Sequence, residues 1–319
     1  MKLILSLALS LSCFAAHGQA WPSKPVRIVV AYPPGGGIDV MARQIADKLT
    51  GAWGQPVVVE NRPGANTIVA TDAVAKSAPD GHTVLFTTDA TFSINPHLYA
   101  KLPFDTQRDF IPVTMLVLLQ QLLVAHPSVQ ANSLRELIDL AKKNPGKINY
   151  ASYGSGSQPH LSGEMLKHKA GIDLVHIPYK GISLAVPAVM AGEVQLTFSG
   201  IASSLAPLKS GRIKAFAIGG PQRSPIWPDL PTFAELGYPE VETHAWFGLF
   251  LPAGAPREAV TRIYQDTKKI LDEPEFRQKQ LIDRGYEVVG SSPDEFSSYI
   301  KKDRESRGRA VKISGAKAE

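Results

Sequence analysis

Apolar positions along this chain alternate between short continuous runs and helical spacing. Arg27-Ile28-Val29-Val30-Ala31 reads as a buried strand, and Pro33-Pro34-Gly35-Gly36-Gly37 interrupts it. Ile38, Met41, Ala42, Ile45, Ala46, Leu49 and Trp53 then recur at intervals of three and four, which predicts a helix with one apolar face. Val57-Val58-Val59 is a second strand, followed by the turn Asn61-Arg62-Pro63-Gly64 and an alanine-rich helix over residues 67–78. Pro79-Asp80-Gly81 turns the chain into strand Val84-Leu85-Phe86. This strand–helix alternation predicts a parallel α/β sheet.

Residues 111–125 are apolar without helix caps and read as an extended crossing segment. Ser133-Leu134-Arg135-Glu136 is a capping box, and Asn144-Pro145-Gly146 ends the helix it opens. A second alternating unit follows. A strand over 148–152 passes through Gly154-Ser155-Gly156-Ser157 into a helix ending near Gly171. A strand over 174–177 passes through Pro178-Tyr179-Lys180-Gly181 into a helix around 185–190. Pro187 must lie in that helix's first turn or kink it. Strands at 194–198 and 213–218 complete the unit. A second apolar crossing at 246–252, an amphipathic helix from Pro256, and a last helix capped by Ser292-Pro293-Asp294-Glu295 finish the pattern. The tail from Arg304 onward is polar and expected to fray. Two α/β units joined by two crossings predict two lobes, one built from both ends of the chain, with a cleft between them suited to a small molecule.

The 319 residues are 44% apolar and 20% charged, which excludes disorder for the chain as a whole. The net charge of +5 is too dispersed for a nucleic-acid footprint. Met1-Lys2, the apolar stretch 3–16 and the small residues of Gly18-Gln19-Ala20 read as a secretory signal peptide, with Trp21 the first mature residue. The apolar stretch is too short to span a bilayer. Cys13 raises a lipoprotein alternative, but Ser10 stands where a lipobox has Leu. Cleavage would remove the only cysteine, and with it thiol nucleophiles, thiolate metal sites and disulfides.

The chemistry sits in two glycine-rich turns, each leading from a strand into a helix: Pro33-Pro34-Gly35-Gly36-Gly37-Ile38-Asp39 and Ser152-Tyr153-Gly154-Ser155-Gly156-Ser157-Gln158-Pro159-His160. Glycine lets backbone N–H groups approach a ligand, and a helix start has unpaired donors and partial positive charge. Two such starts facing each other would hold a carboxylate without an arginine, with Ser155 and Ser157 adding hydroxyl bonds. Asp39 either caps its helix or lines the site, and His160 either packs or faces the ligand. Thr88, Asp89, Thr91, Tyr179 and Ser199 follow strands and are candidates for the remaining walls. Gly154-Ser155-Gly156-Ser157 fits neither a nucleophile elbow nor a dinucleotide fingerprint. A secreted serine hydrolase using Ser155 and His160 is the rival from another class.

In its motifs the chain resembles the extracytoplasmic solute receptors of tripartite tricarboxylate transporters, the Bug family. The resemblance is carried by Trp21-Pro22-Ser23-Lys24-Pro25-Val26-Arg27, Pro34-Gly35-Gly36-Gly37 with Asp39, Val59-Glu60-Asn61-Arg62-Pro63-Gly64-Ala65 and Ala78-Pro79-Asp80-Gly81. It continues through Asn144-Pro145-Gly146-Lys147, the loop 154–160, His176-Ile177-Pro178-Tyr179-Lys180-Gly181 and Ala245-Trp246-Phe247-Gly248. It implies an α/β, two-lobed periplasmic binding protein fold of type II-like form. Each lobe would be a mainly parallel sheet flanked by helices, the two joined by two crossing strands. The expected organisation is a signal peptide over 1–20, one lobe from 21–119 with 248–319, and a second from 120–247. The implied function is capture of a small carboxylated ligand, an organic acid before an amino acid, by Pro34, Gly35, Gly36, Gly37, Ile38 and Asp39 with Gly154, Ser155, Gly156, Ser157 and His160. A membrane permease of the tripartite type is the implied partner. A sensory role without a permease and a receptor feeding an ATP-driven transporter are alternatives. A monomer with no cofactor and no metal is expected, not an enzyme. The chain departs from the family where Ile38 replaces a common Ser or Thr, where Asn66-Thr67-Ile68-Val69 replaces a glycine-rich helix start, and where Ser199 replaces a frequent acid.

Overall fold

The structure is a computed structural model and describes residues 21–179, 182–220, 222–241 and 243–317. The expected signal peptide lies outside the described residues. The first unit runs β1 (Val26–Val30), α1 (Gly37–Trp53), β2 (Val57–Asn61), α2 (Ile68–Ala75) and β3 (Thr83–Thr88). Strand β1 pairs parallel with both β2 and β3. A π-helical turn over Ala90–Ile94 then runs into the short α3 (Asn95–Leu98). Ile38, Met41, Ala42, Ile45, Ala46 and Leu49 of α1 are buried, as their spacing predicts. Gly54, at φ 65°, ends α1 by giving its N–H to the Thr50 carbonyl.

The molecule turns on β4 (Phe110–Ala125), sixteen residues long. Its first part pairs antiparallel with β9 (His244–Pro252) as far as Gln120 opposite His244. From Gln121 onward it pairs instead with β7 (Leu196–Gly200). Strand β8 (Lys214–Ile218) continues the β9 edge at residues 122–125, where Gln121 gives its N–H to Thr243 and takes that of Gly219, and β10 (Tyr286–Val288) lies on the β7 edge at residues 117–119. The second unit is α4 (Leu134–Lys143), β5 (Asn149–Ser152), α5 (Gln158–Ala170), β6 (Val175–Pro178), α6 (Ile182–Ala191), β7, α7 (Ile201–Lys209) and β8. Strand β5 pairs parallel with β6 and β7. The result is one curled sheet in the order β2-β1-β3-β9-β4-β7-β5-β6, parallel in its outer strands and antiparallel where β4 and β9 pass through.

Each end of the sheet has its own cores. On one face, Val26, Ile28 and Val30 pack with α1 and with Ala259, Val260 and Ile263 of α8 (Arg257–Asp272). On the other, Val29 and Ala31 pack with Phe92, Phe110, Phe250 and Phe296, the two-residue period of a strand covered on both sides. Beyond Gln121, Leu123 and Ala125 face the cluster of α4 and α5, while Leu122 and Val124 face that of α6. A short helix, α9 (Pro274–Phe276), leads toward β10.

One local expectation is corrected and one is narrowed. The tail does not fray at Arg304: α10 runs Pro293–Ser314, and Arg307, Ala310 and Val311 are buried. Its apolar residues are too sparse to announce a packed face, and Arg307 is hidden by ion pairing rather than by hydrophobicity. Phe296 belongs to the first unit's core and Ala310 and Val311 to the second's, so α10 straps across both. The helix α6 starts at Ile182, earlier than the sequence pattern placed it, so Pro187 lies in its interior, which leaves the kinked alternative of the two expected for it.

Candidate functional site

Among the described helices that follow strands, α1 at Gly36, α2 at Thr67, α5 at Ser157, α7 at Gly200 and α8 at Pro256 start without a side-chain cap, and in α1, α5 and α7 a glycine lies at or just before the start. By contrast, α4 and α10 are capped by Ser133 and Ser292, whose side chains accept the N–H three residues on. In α1 the first intrahelical bond is Val40 N–H to Gly36 O, 3.0 Å. The amides of Gly37, Ile38 and Asp39 therefore have no carbonyl within the helix to meet.

Asp39 folds the first loop from inside. Its Oδ2 accepts the Gly35 N–H at 2.9 Å, and its Oδ1 accepts from Asn61 Nδ2 at 2.8 Å and Arg43 at 3.0 Å. Burial works against ionisation of Asp39, but these bonds outweigh it and hold its carboxyl below the usual carboxylate range. These bonds tie Asp39 to its own loop, to Arg43 and to Asn61, and no side chain caps the start of α1. Pro34 and Gly35 are exposed, and Ile38 is buried beneath them. Gly35 needs its φ of 86°, whereas Gly36 has an ordinary backbone (φ −77°, ψ 165°). A Cβ at Gly36 would meet only the Pro33 carbonyl, at 3.9 Å, while one at Gly37 would lie 2.5 Å from the Tyr286 hydroxyl.

The second loop is built the same way. The Gly156 N–H is accepted by His160 Nδ1 at 2.9 Å, and the Gly154 carbonyl accepts from Ser157 Oγ at 2.6 Å and Ser152 Oγ at 3.0 Å. Burial lowers the His160 pKa, so the imidazole is neutral at neutral pH. Ser155 and Ser157 are half-buried at the turn. Tyr179 follows β6; its N–H reaches the Ser152 carbonyl at 3.0 Å, and its own carbonyl lies beside Gly154. Ser199 is buried in β7, next to Gly200, near Tyr153, whose hydroxyl donates to the Phe198 carbonyl at 2.9 Å.

At the end of β3, Thr88 Oγ1 lies 2.8 Å from the Tyr32 hydroxyl and accepts the Ala90 N–H. Thr91 bridges Thr67 at 2.7 Å and Thr87 at 2.6 Å. Asp89 is buried 3.8 Å from Arg307, which also lies 3.3 Å from Asp303. Burial raises the Asp89 pKa to about 7; Arg307 opposes this and the Asp303 charge adds to it. Asp303 is further held by Trp246 Nε1–H at 2.9 Å.

Sequence reasoning missed Gly200 with Ile201, although strand, glycine, helix is the pattern that marks the other two turns. It also missed the contacts between the halves. A Cβ at Gly156 would fall 2.2 Å from Leu98, and one at Gly285 would fall 2.4 Å from Ile201. Both join residues far apart in the chain and leave no local signal. Behind the crossing, a cavity of about 310 Å³ lies between β4 and α10, lined in part by Gln120, His244, Glu287 and Lys302. Among the described residues no group of three or more His, Cys, Asp or Glu is placed to hold a metal, and no helix is long and apolar enough to cross a membrane.

The comparisons bear on this geometry. BugT of Bordetella pertussis is 34% identical over 304 residues, covering 94% of this chain and 92% of its own. An R. palustris protein solved with adipate superposes with a TM-score of 0.86 at 31% identity, over 93% of this chain and 99% of that one. MatC from Rhodopseudomonas palustris, solved with bound malate, gives 0.82 at 30%, over 91% and 100%. The family model described as tripartite tricarboxylate transporter family receptor matches residues 41–315, nearly the whole described chain. With that match and relatives above 30% identity along most of its length, this chain belongs to the tripartite tricarboxylate transporter receptor family, the family of the Bug proteins.

Proposed function

We propose that this protein is a periplasmic receptor that encloses a small carboxylate between two lobes, 21–119 with 248–319 and 120–247, by hinge closure. The observation that carries the reading is the pair of glycine-rich helix starts, one in each unit, that leave their first amides uncapped. Those amides and the helix dipoles suit a carboxylate. Pro34, Gly35, Gly36, Gly37 and Ile38 form one jaw, with Asp39 behind it. Gly154, Ser155, Gly156 and Ser157 form the other, with His160 behind it. Thr88, Asp89, Thr91, Tyr179 and Ser199 are assigned to the remaining walls by their positions at or after strand ends. The adipate and malate bound by the two R. palustris relatives support a dicarboxylic acid as the ligand class. Ile38 in place of a hydroxyl residue makes one wall more apolar and favours an organic acid over an amino acid.

Movement about β4 at residues 120–121 and the chain near Thr243 would open and close the cleft, with α10 as a third link. Export through the 1–20 leader and delivery to a tripartite permease belong to the same reading, which membership of the family supports. The hydrolase reading has little to draw on: His160 spends its Nδ1 on the Gly156 amide and its ring lies flat on His176. A thermal-shift screen of mono-, di- and tricarboxylates tests the proposal, since a ligand that prefers the folded state raises its melting temperature. Dicarboxylates should raise it most. No response to any acid, with a response to neutral solutes instead, would overturn the reading.

A further inference from the structure

His160 stands in the first turn of α5 and braces the loop that precedes it. Its Nδ1 accepts the Gly156 N–H at 2.9 Å, so that nitrogen carries a lone pair and the ring proton sits on Nε2. The ring stacks on His176 of β6, with centroids 3.9 Å and planes 6° apart. Tyr150 of β5 stacks on His176 in turn, at 5.0 Å. His176 Nε2 lies 2.6 Å from Ser152 Oγ, which accepts the Gly154 N–H. Two stacked imidazoles thus stand behind one loop, each connected to one of its glycines.

The charged groups around the pair are few. Glu164 and Lys167 share its helix and are paired at 2.9 Å, and Glu164 also accepts from the Tyr150 hydroxyl at 2.7 Å. Glu164 favours an imidazolium, while burial and Lys167 oppose it. On the side of α5 that meets α10, Leu161 and Met165 share a small cavity with Arg307, Arg309 and Glu240.

We propose that His160 is a positioning residue for the carboxylate grip and that its protonation in acid releases the Gly156 amide and opens the loop. This rests on the carboxylate reading given above. A proton on Nδ1 would set one N–H against another across a contact now 2.9 Å long, beside a second imidazole. Gly156 presses on Leu98 of the other unit, so its displacement is felt where the two halves meet.

The test has two arms. In the ligand-free protein, NMR follows the His160 ring and the Gly156 amide from about pH 8 to about pH 4.5, a range that spans the histidine region. The two should titrate together; a His160 titration that leaves the Gly156 amide unmoved, or no titration in that range, overturns the proposal. In the second arm, calorimetry with malate and adipate compares wild type with His160→Asn, whose Oδ1 can accept the same N–H but does not protonate. Both proteins meet the same acid, so its own titration cancels. Wild type should lose about tenfold more affinity than the variant between about pH 7.5 and about pH 5, the scale of one charge-sensitive hydrogen bond. Equal losses overturn it. If neither acid binds either protein, the carboxylate reading is what fails, and the NMR arm still decides the role of His160.

Discussion

The Asp39 carboxylate accepts the Gly35 N–H at 2.9 Å, so the first loop is held by the helix that follows it. Asp39 also ties Arg43 and Asn61 to the same point. Asp39→Ala should cost about 2 kcal/mol, the range for hydrogen bonds to a charged group. Because the folded-state pKa is depressed, this contribution is present above the unfolded carboxylate pKa of about 4 and is lost as pH falls through the lower folded value. Urea melts of wild type and variant should differ at neutral pH and converge in acid.

Gly36 is a glycine that the protein's own backbone and packing do not require. Its φ and ψ suit any residue, and a Cβ would have room. Gly36→Leu should leave the melting temperature within about 2 °C, as for an unstrained surface change. It should weaken binding of the carboxylate found by screening by about tenfold or more. Unchanged affinity in calorimetry would remove this loop from the site.

Asp89 titrates in the opposite sense to Asp39. Its folded pKa is raised to about 7, so it favours folding fully only below its unfolded value and loses that contribution as pH rises through about 7. Wild type should therefore lose stability between about pH 4 and about pH 7, a window set by the two carboxyl values. Asp89→Asn should flatten that slope, because no charge forms beside Asp303. Denaturant melts across this range check it; a parallel slope in the variant would contradict the assignment.

Gly219 lies against the second crossing. Its N–H meets the Gln121 carbonyl at 2.8 Å, and a Cβ there would fall 1.7 Å from Thr243 Oγ1 and 2.6 Å from the Thr243 carbonyl. The backbone cannot yield without parting β4 from residue 243. Gly219→Ala should cost about 1–3 kcal/mol by overpacking, read from thermal melts. It should also change the radius of gyration measured by small-angle scattering, because the strain falls where the units join.

The elements of this chain were legible because their signals are local. The apolar period of α1, the glycine breaks after β1 and β5, and the serine caps of α4 and α10 each lie within a few residues. The last two turns of α10 were not legible. Their burial depends on Asp89 and Asp303 meeting Arg307, and on Ala310 and Val311 meeting a core supplied by α4 and α5. Asp39 and His160 could be singled out as first-turn residues, but only the folded loops show each accepting the amide four positions before it.

The amino-acid sequence by itself determined the alternating α/β pattern, the two glycine-rich turns and the membership that their motifs announce, because backbone propensity and turn chemistry act over short distances. Tertiary structure alone decided that β4 serves both units, that α10 straps them, and that Leu98 meets Gly156 and Ile201 meets Gly285. Those contacts join residues distant in the chain, and their energy comes from packing that exists only once both units have formed.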